Sequence, residues 1–231
     1  MLELFPEGFV EQASGKEVEL VAFTDEAGAG RLREIFGAVA SVPVAPGWEE
    51  EWKRFHVPVV VGSLWIGPPW ELPAPGLAHV VIDPGLAFGT GAHPTTQLCL
   101  EFLDVLEPGS LLDVGCGSGV LAIAASKLGF GPIVAIDSDE AAVEITRQNA
   151  AANGVALDVR RLDGLADPLP DAENVVANID LRTFDAFAPP PGARKLVASG
   201  YYEDDRPTFA GFDHAERGTL DKWAADLFTR E

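Results

Sequence analysis

From about residue 79 the chain alternates short apolar runs with amphipathic stretches. Residues 110–114, 133–136, 157–161, 174–177 and 195–198 read as brief, mostly apolar strands. Between them, Pro94–Leu106 places Leu98, Cys99, Phe102, Leu103 and Leu106 at helical spacing, and Val120–Leu128 is rich in Ala and Leu. Glu140–Ala152 reads as a helix, with Asp139 placed to cap it and Asn153-Gly154 placed to end it. Asp180 is placed to open a further short helix over 180–187. Apolar strands alternating with helices predict an α/β, doubly wound, mainly parallel sheet with right-handed crossovers.

The first fifty residues carry a different pattern. Val18-Glu-Leu-Val-Ala-Phe23 alternates like a strand, and Gly30–Phe36 sets Leu32, Ile35 and Phe36 on one helical face. That is too little for an independent core, so residues 1–56 are expected to pack on the rest of the chain or to form a small α+β module. Residues 57–78 are expected to serve as linker and entry strands (Val57–Val61, Ser63–Ile66). They end in Gly67–Gly76, whose four prolines deny donors to any sheet. Residues 79–231 then form the main domain.

Composition narrows the function classes. Sixteen Lys plus Arg against 36 Asp plus Glu give a net charge of −20. Affinity for a phosphate backbone comes largely from Lys and Arg displacing counterions, so nucleic-acid binding is not expected. A basic protein partner fits the charge, and so does acidity that serves only solubility. No apolar run approaches the roughly 20 residues of a membrane span. The N-terminus has no signal-peptide pattern. Cys99 and Cys116 have neither disulfide-framework nor zinc-site spacing, so no metal is expected and a cytoplasmic setting is.

The candidate chemistry centres on Leu111-Leu-Asp-Val-Gly-Cys-Gly-Ser-Gly119, a strand running into a glycine turn and then a helix. Glycines at Gly115 and Gly117 allow positive φ and close backbone approach to a ligand. Asp137 ends the next strand 18 residues beyond Gly119, near the roughly 20 expected, and can accept both hydroxyls of an adenosine ribose. A dinucleotide fingerprint would need glycine at position 120, where Val120 stands, and there is no Gly-Lys-Ser/Thr of a P-loop. Asp163 follows the third strand; it can accept from an adenine amine or sit as a solvated loop acid. Asn178 closes the fourth strand, and ligands of open parallel sheets bind at the carboxyl ends of strands.

Two longer stretches carry a resemblance. Ile82-Asp-Pro-Gly-Leu-Ala-Phe-Gly-Thr-Gly-Ala-His-Pro-Thr-Thr96 and Leu112–Ala124, with Ala135–Asp139 and Val176–Ile179, resemble the PrmA-type methyltransferases that modify a large-subunit ribosomal protein, the L-eleven protein. Trp48–His56, Gly67–Trp70 and the segment from Gly211 through Trp223 also look like that family's linker, domain entry and final strand pair. The resemblance implies a seven-stranded Rossmann-like methyltransferase sheet and an S-adenosylmethionine site using Thr96, Gly115, Asp137 and Asn178. It also implies that the Phe88-Gly-Thr-Gly91 loop, with Thr90, covers the methionine end, and that Phe88 helps form the acceptor opening. The acceptors would be lysine or α-amino groups, most simply of a ribosomal protein. Asn178 can accept a hydrogen bond from the amine without adding a charge that holds its proton, or it can contact the cofactor. The family's N-terminal domain is usually longer than these 47 residues, and Ala188-Pro-Pro-Pro-Gly192 stands where a longer helix belongs. These departures bear on acceptor recognition. A different protein lysine, a small-molecule acceptor or a non-catalytic S-adenosylmethionine-binding protein are the alternative readings.

Overall fold

The computed structural model describes residues 10–14, 17–21, 26–37, 39–40, 56–84 and 89–231. The chain divides into two compact units, Met1–Trp52 and Lys53–Glu231. In the first, β1 (Val10–Ser14) and β2 (Glu17–Val21) pair antiparallel, and α1 spans Glu26–Phe36. The helix begins four residues before the Gly30 start its apolar spacing predicts. Of the three residues expected on its apolar face, Leu32 is buried, whereas Ile35 and Phe36 are about half exposed at 53% and 51%.

The second unit opens with a three-stranded sheet: β3 (Val59–Val61), β4 (Leu64–Gly67) and β5 (Ala78–Val81). β3 and β4 pair antiparallel, and β5 runs parallel to β4 after the proline-rich connector. The main sheet has seven strands: β6 (Leu111–Val114), β7 (Ile133–Asp137), β8 (Asp158–Arg161), β9 (Asn174–Asn178), β10 (Lys195–Tyr202), β11 (Asp213–Leu220) and β12 (Trp223–Thr229). Their order is β11-β12-β10-β9-β6-β7-β8, with β8 and β11 at the edges. The pairs from β10 through β8 are parallel, and only the β11–β12–β10 side is antiparallel. This is the mainly parallel, doubly wound sheet the strand rhythm predicts.

Helices α2 (Pro94–Val105), α3 (Val120–Lys127), α4 (Glu140–Ala152) and the short α5 (Leu181–Phe184) complete the unit. Asp139 caps α4 by accepting from the Ala141 N–H, as its position predicts. Asp180 caps α5 through the N–H groups of Arg182 and Thr183. The central strands are mostly apolar because they are covered on both faces. On one face Leu111, Val176, Val197 and Ala225 pack with Leu98, Phe102 and Ile123; on the other Leu112, Val175, Leu196 and Phe228 pack with Phe184, Phe187 and Phe209. After β6 the chain adds β7 on one side and later β9 on the other, so the order of strands reverses between β6 and β9. Ligands of such sheets bind outside the carboxyl ends at this switch point.

Candidate active site

At the switch point, β6 runs into the glycine turn. Gly115 takes φ +74°, and a Cβ there would stand 2.7 Å from Ile179 Cγ2, so this position requires glycine. The turn is folded over the end of β7: the Gly117 N–H donates to Asp137 Oδ2 at 3.0 Å, and the Asp139 N–H donates to Asp137 Oδ1 at 3.0 Å. Two backbone donors therefore fix the Asp137 carboxylate while each oxygen keeps a lone pair for a further donor. A cavity of about 250 Å³ opens beside it, lined by Gly115, Ile136, Asp137, Leu162, Asp163 and Ile179 among others. Apolar walls with a few converging polar groups are what small-molecule sites share.

Asp163 lies at this cavity and is exposed, its Oδ1 accepting from the Leu165 N–H at 2.9 Å. Asn178, at the end of β9, is half-buried. Its Nδ2 donates to Oγ1 of the buried Thr96 at 3.3 Å, which leaves the amide oxygen as its acceptor. Thr96 is set by the first turn of α2, where His93 Nδ1 accepts from the Thr95 N–H at 3.3 Å. Burial lowers the His93 pKa, which favours the neutral ring this cap needs.

The structure thus brings Gly115, Asp137 and Asp163 together at one cavity, with Gly117 bonded to Asp137 behind it, and joins Thr96 to Asn178 at the end of the adjacent strand. Thr90 lines a second cavity of about 180 Å³ with His56, Gly67, Ile82 and Ala92, and its neighbour Gly89 is bonded to Ser118 of the glycine turn. Phe88 lies outside the described residues.

Beneath the turn, Asp113 on β6 is 1% exposed. Its Oδ2 accepts from the Ala122 N–H at 3.1 Å, and its buried Oδ1 has no hydrogen-bond partner among the described residues. Burial pushes its pKa up to about 7, against the opposing hydrogen bond from Ala122 and with help from the nearby Asp137 charge. Burial likewise pushes the Cys116 thiol up to about 12, so it is no nucleophile at neutral pH. Sequence reasoning passed over Ser118, whose hydroxyl donates to the Gly89 carbonyl at 2.5 Å and bridges two loops. It read Asn153 only as a helix end. Neither residue carries a sequence signal, because both act on backbone groups far along the chain.

Residues 38–201 match the model of the family described as ribosomal protein L11 methyltransferase (PrmA). The chain is similar to the ribosomal protein L11 methyltransferase of Vibrio campbellii, with 48% identity over 142 residues, 57% of this chain and 46% of that protein. It is 42% identical over 181 residues to the protein of the same name from a Shewanella species, covering 71% of this chain and 60% of that one. It therefore spans about half the length of the curated relatives it matches. Among solved structures it is similar to the ribosomal protein L11 methylase of Lactobacillus delbrueckii subsp. bulgaricus, with a TM-score of 0.60 and 28% identity over 73% of this chain and 95% of that one. The glycine turn, the acid ending β7 and the Thr96–Asn178 pair all lie within the matched span, and the chain belongs to the ribosomal protein L11 methyltransferase (PrmA) family.

Proposed function

We propose that this protein is an S-adenosylmethionine-dependent N-methyltransferase whose acceptor is a lysine or α-amino group of a basic protein, ribosomal protein L11 first among them. The observation that carries the reading is the cavity at the β6–β9 switch point, with Asp137 held by two backbone donors and Gly115 stripped of any side chain. The residues fit the cofactor. Asp137 would accept from the ribose hydroxyls, Gly115 and Gly117 would let the backbone approach, and Asp163 would accept from the adenine amine between Leu162 and Leu165. Thr96, Asn178 and Thr90 would serve the methionine side, and Phe88 the acceptor opening. When bound, S-adenosylmethionine supplies an electrophilic methyl group on a sulfonium.

This chain's own residues contribute position and desolvation. A free lysine has a pKa near 10.4, so only roughly one in a few thousand is neutral at pH 7. A pocket that excludes water lowers that value and exposes the nitrogen lone pair. With its Nδ2 committed to Thr96, Asn178 offers Oδ1 to an amine N–H and adds no charge that would hold the ammonium proton. In this reading residues 1–56 contribute acceptor recognition, 57–78 link, and 79–231 bind the cofactor. The setting is the cytoplasm, where ribosomal proteins are met. No helix among the described residues is long and apolar enough to cross a membrane.

The test is transfer of radiolabelled methyl to purified L11, with calorimetry for cofactor affinity. Wild type labels L11. Asp137→Ala weakens cofactor binding about tenfold or more through the lost charge-assisted hydrogen bonds. Asn178→Ala lowers kcat about a hundredfold through misplacement of the amine. Cofactor binding with no label in L11 or in any extract protein supports the non-catalytic reading instead, and label only in low-mass material supports a small-molecule acceptor.

A further inference from the structure

We infer that Ser118, Thr146, Asn149 and Asn153 form a hydrogen-bonded ladder that holds the end of β5 and Gly89, next to Thr90, against the glycine turn. The inference rests on the methyl-transfer reading of the site and assigns it four positioning residues. Thr146, Asn149 and Asn153 follow one another at spacings of three and four, so they share one face of α4 and its C-cap. Each bonds to backbone outside its own helix. Thr146 Oγ1 donates to the Gly117 carbonyl at 2.9 Å, and Asn149 Nδ2 donates to the Ser118 carbonyl at 2.8 Å. Asn153 takes both polar groups of Val81: its Oδ1 accepts from the Val81 N–H at 2.8 Å, and its Nδ2 donates to the Val81 carbonyl at 2.7 Å. The same Nδ2 reaches the Asn149 carbonyl at 2.8 Å, closing the ladder on itself.

Asn153 occupies the side of β5 opposite β4 and satisfies Val81 as a neighbouring strand would. Val81 immediately precedes the segment that returns at Gly89. There the hydroxyl of Ser118, itself 1% exposed, donates to the Gly89 carbonyl. The turn that would hold the cofactor, the end of β5 and Gly89 are thus tied to one helix face. Thr146 and Asn149 are 0% and 6% exposed, so these bonds form away from competing water. All four side chains direct hydrogen bonds to the backbone of the glycine turn, the end of β5 or Gly89. Their geometric consequence is a fixed spacing between methyl donor and acceptor amine. A misplacement of about 1 Å is enough to cost on the order of a hundredfold in rate.

The experiment compares the full chain with Ser118→Ala, Ser118→Thr and Asn149→Ala. It measures kcat and KM for L11, affinity for S-adenosylhomocysteine, and the shift of the Val81 amide resonance when S-adenosylhomocysteine binds. Val81 does not line the cavity beside Asp137, so a shift of its amide reports the binding event passed on through the protein, and loss of that shift in Asn149→Ala assigns the relay to the ladder. Ser118→Ala is expected to bind S-adenosylhomocysteine within about threefold of wild type while kcat falls about 10- to 100-fold, and Ser118→Thr restores most of the rate by restoring the hydroxyl. Asn149→Ala is expected to abolish the Val81 shift. A Ser118→Ala enzyme with wild-type kcat, or one whose rate falls only in step with its S-adenosylhomocysteine affinity, overturns the proposal. So does an unchanged Val81 shift in Asn149→Ala. If wild type transfers no methyl, the functional reading fails, and the Val81 shift still decides the ladder.

Discussion

Two aspartates are buried in the same seven-stranded sheet and meet opposite fates. Asp113 sits on the central strand β6, one residue from the end of the strand, and has one backbone donor. Asp226 sits on β12, fully buried, and accepts from Arg217 Nε at 2.8 Å and Nη2 at 2.7 Å, from Tyr201 Oη at 2.8 Å and from His214 Nε2 at 2.6 Å. Burial pushes both carboxyls up. At Asp113 nothing outweighs it, whereas at Asp226 the hydrogen bonds from Arg217, Tyr201 and His214 hold the pKa below the ordinary range. The difference lies in what each strand has beside it. β12 borders the edge strand β11, whose long side chains Arg217 and His214 reach over it, Arg217 also donating to the Glu203 and Asp205 carbonyls and His214 staying half exposed. β6 is flanked by β7 and β9, whose buried positions opposite Asp113 are Ala135 and Val176, and these bring no donor. Asp226 keeps its charge because its antiparallel neighbour supplies donors that the strands beside Asp113 lack.

Removing the cation should break the contrast most sharply. Arg217→Ala leaves Asp226 buried without its bidentate partner and is expected to cost about 3–5 kcal/mol, read as a lowered urea midpoint. The next effect is pH-dependent. As pH rises from 4 to 7 the unfolded Asp113 releases its proton while the folded one, titrating at about 7, still holds it, so its contribution to stability falls across this window. Asp113→Asn does not titrate. The stability of wild type minus that of Asp113→Asn should therefore drop by on the order of 4 kcal/mol between pH 4 and pH 8, and a flat difference refutes the raised pKa. The smallest effect is expected from Tyr201→Phe, which removes one hydrogen bond to a charged acceptor and should cost about 2 kcal/mol without unfolding the sheet. A cost equal to that of Arg217→Ala would show that Asp226 relies on its whole network rather than on its cation.

The same contrast explains what was legible in the sequence. Strands β6, β7, β9 and β10 read clearly because both their faces are buried, which forces apolar runs bounded by turns. β11 carries Asp213, His214, Glu216 and Arg217 on an open edge, and only the family resemblance marked it. β1, Val-Glu-Gln-Ala-Ser, has too few apolar positions to announce a strand. At the site, Gly115, Asp137 and Asn178 were readable because each sits at a strand end that the βαβ rhythm locates. Thr146, Asn149 and Asn153 were not: on a helix such residues look like a solvated face, and only the tertiary fold turns them toward Gly117, Ser118 and Val81.

The sheet order described above also bears on how copies of this chain meet one another. An unpaired strand edge is a template onto which another chain can add. Here one border, β8, is Asp158-Val-Arg-Arg161, with Arg160 and Asp158 exposed and paired to each other. The other border, β11, shows Asp213, His214 and Glu216 to solvent. Docking a further strand on either side would bring these charges against a neighbour's backbone and strip their water. The charged borders therefore act as gatekeepers, directing the apolar centre inward and guarding the folded chain against edge-to-edge aggregation.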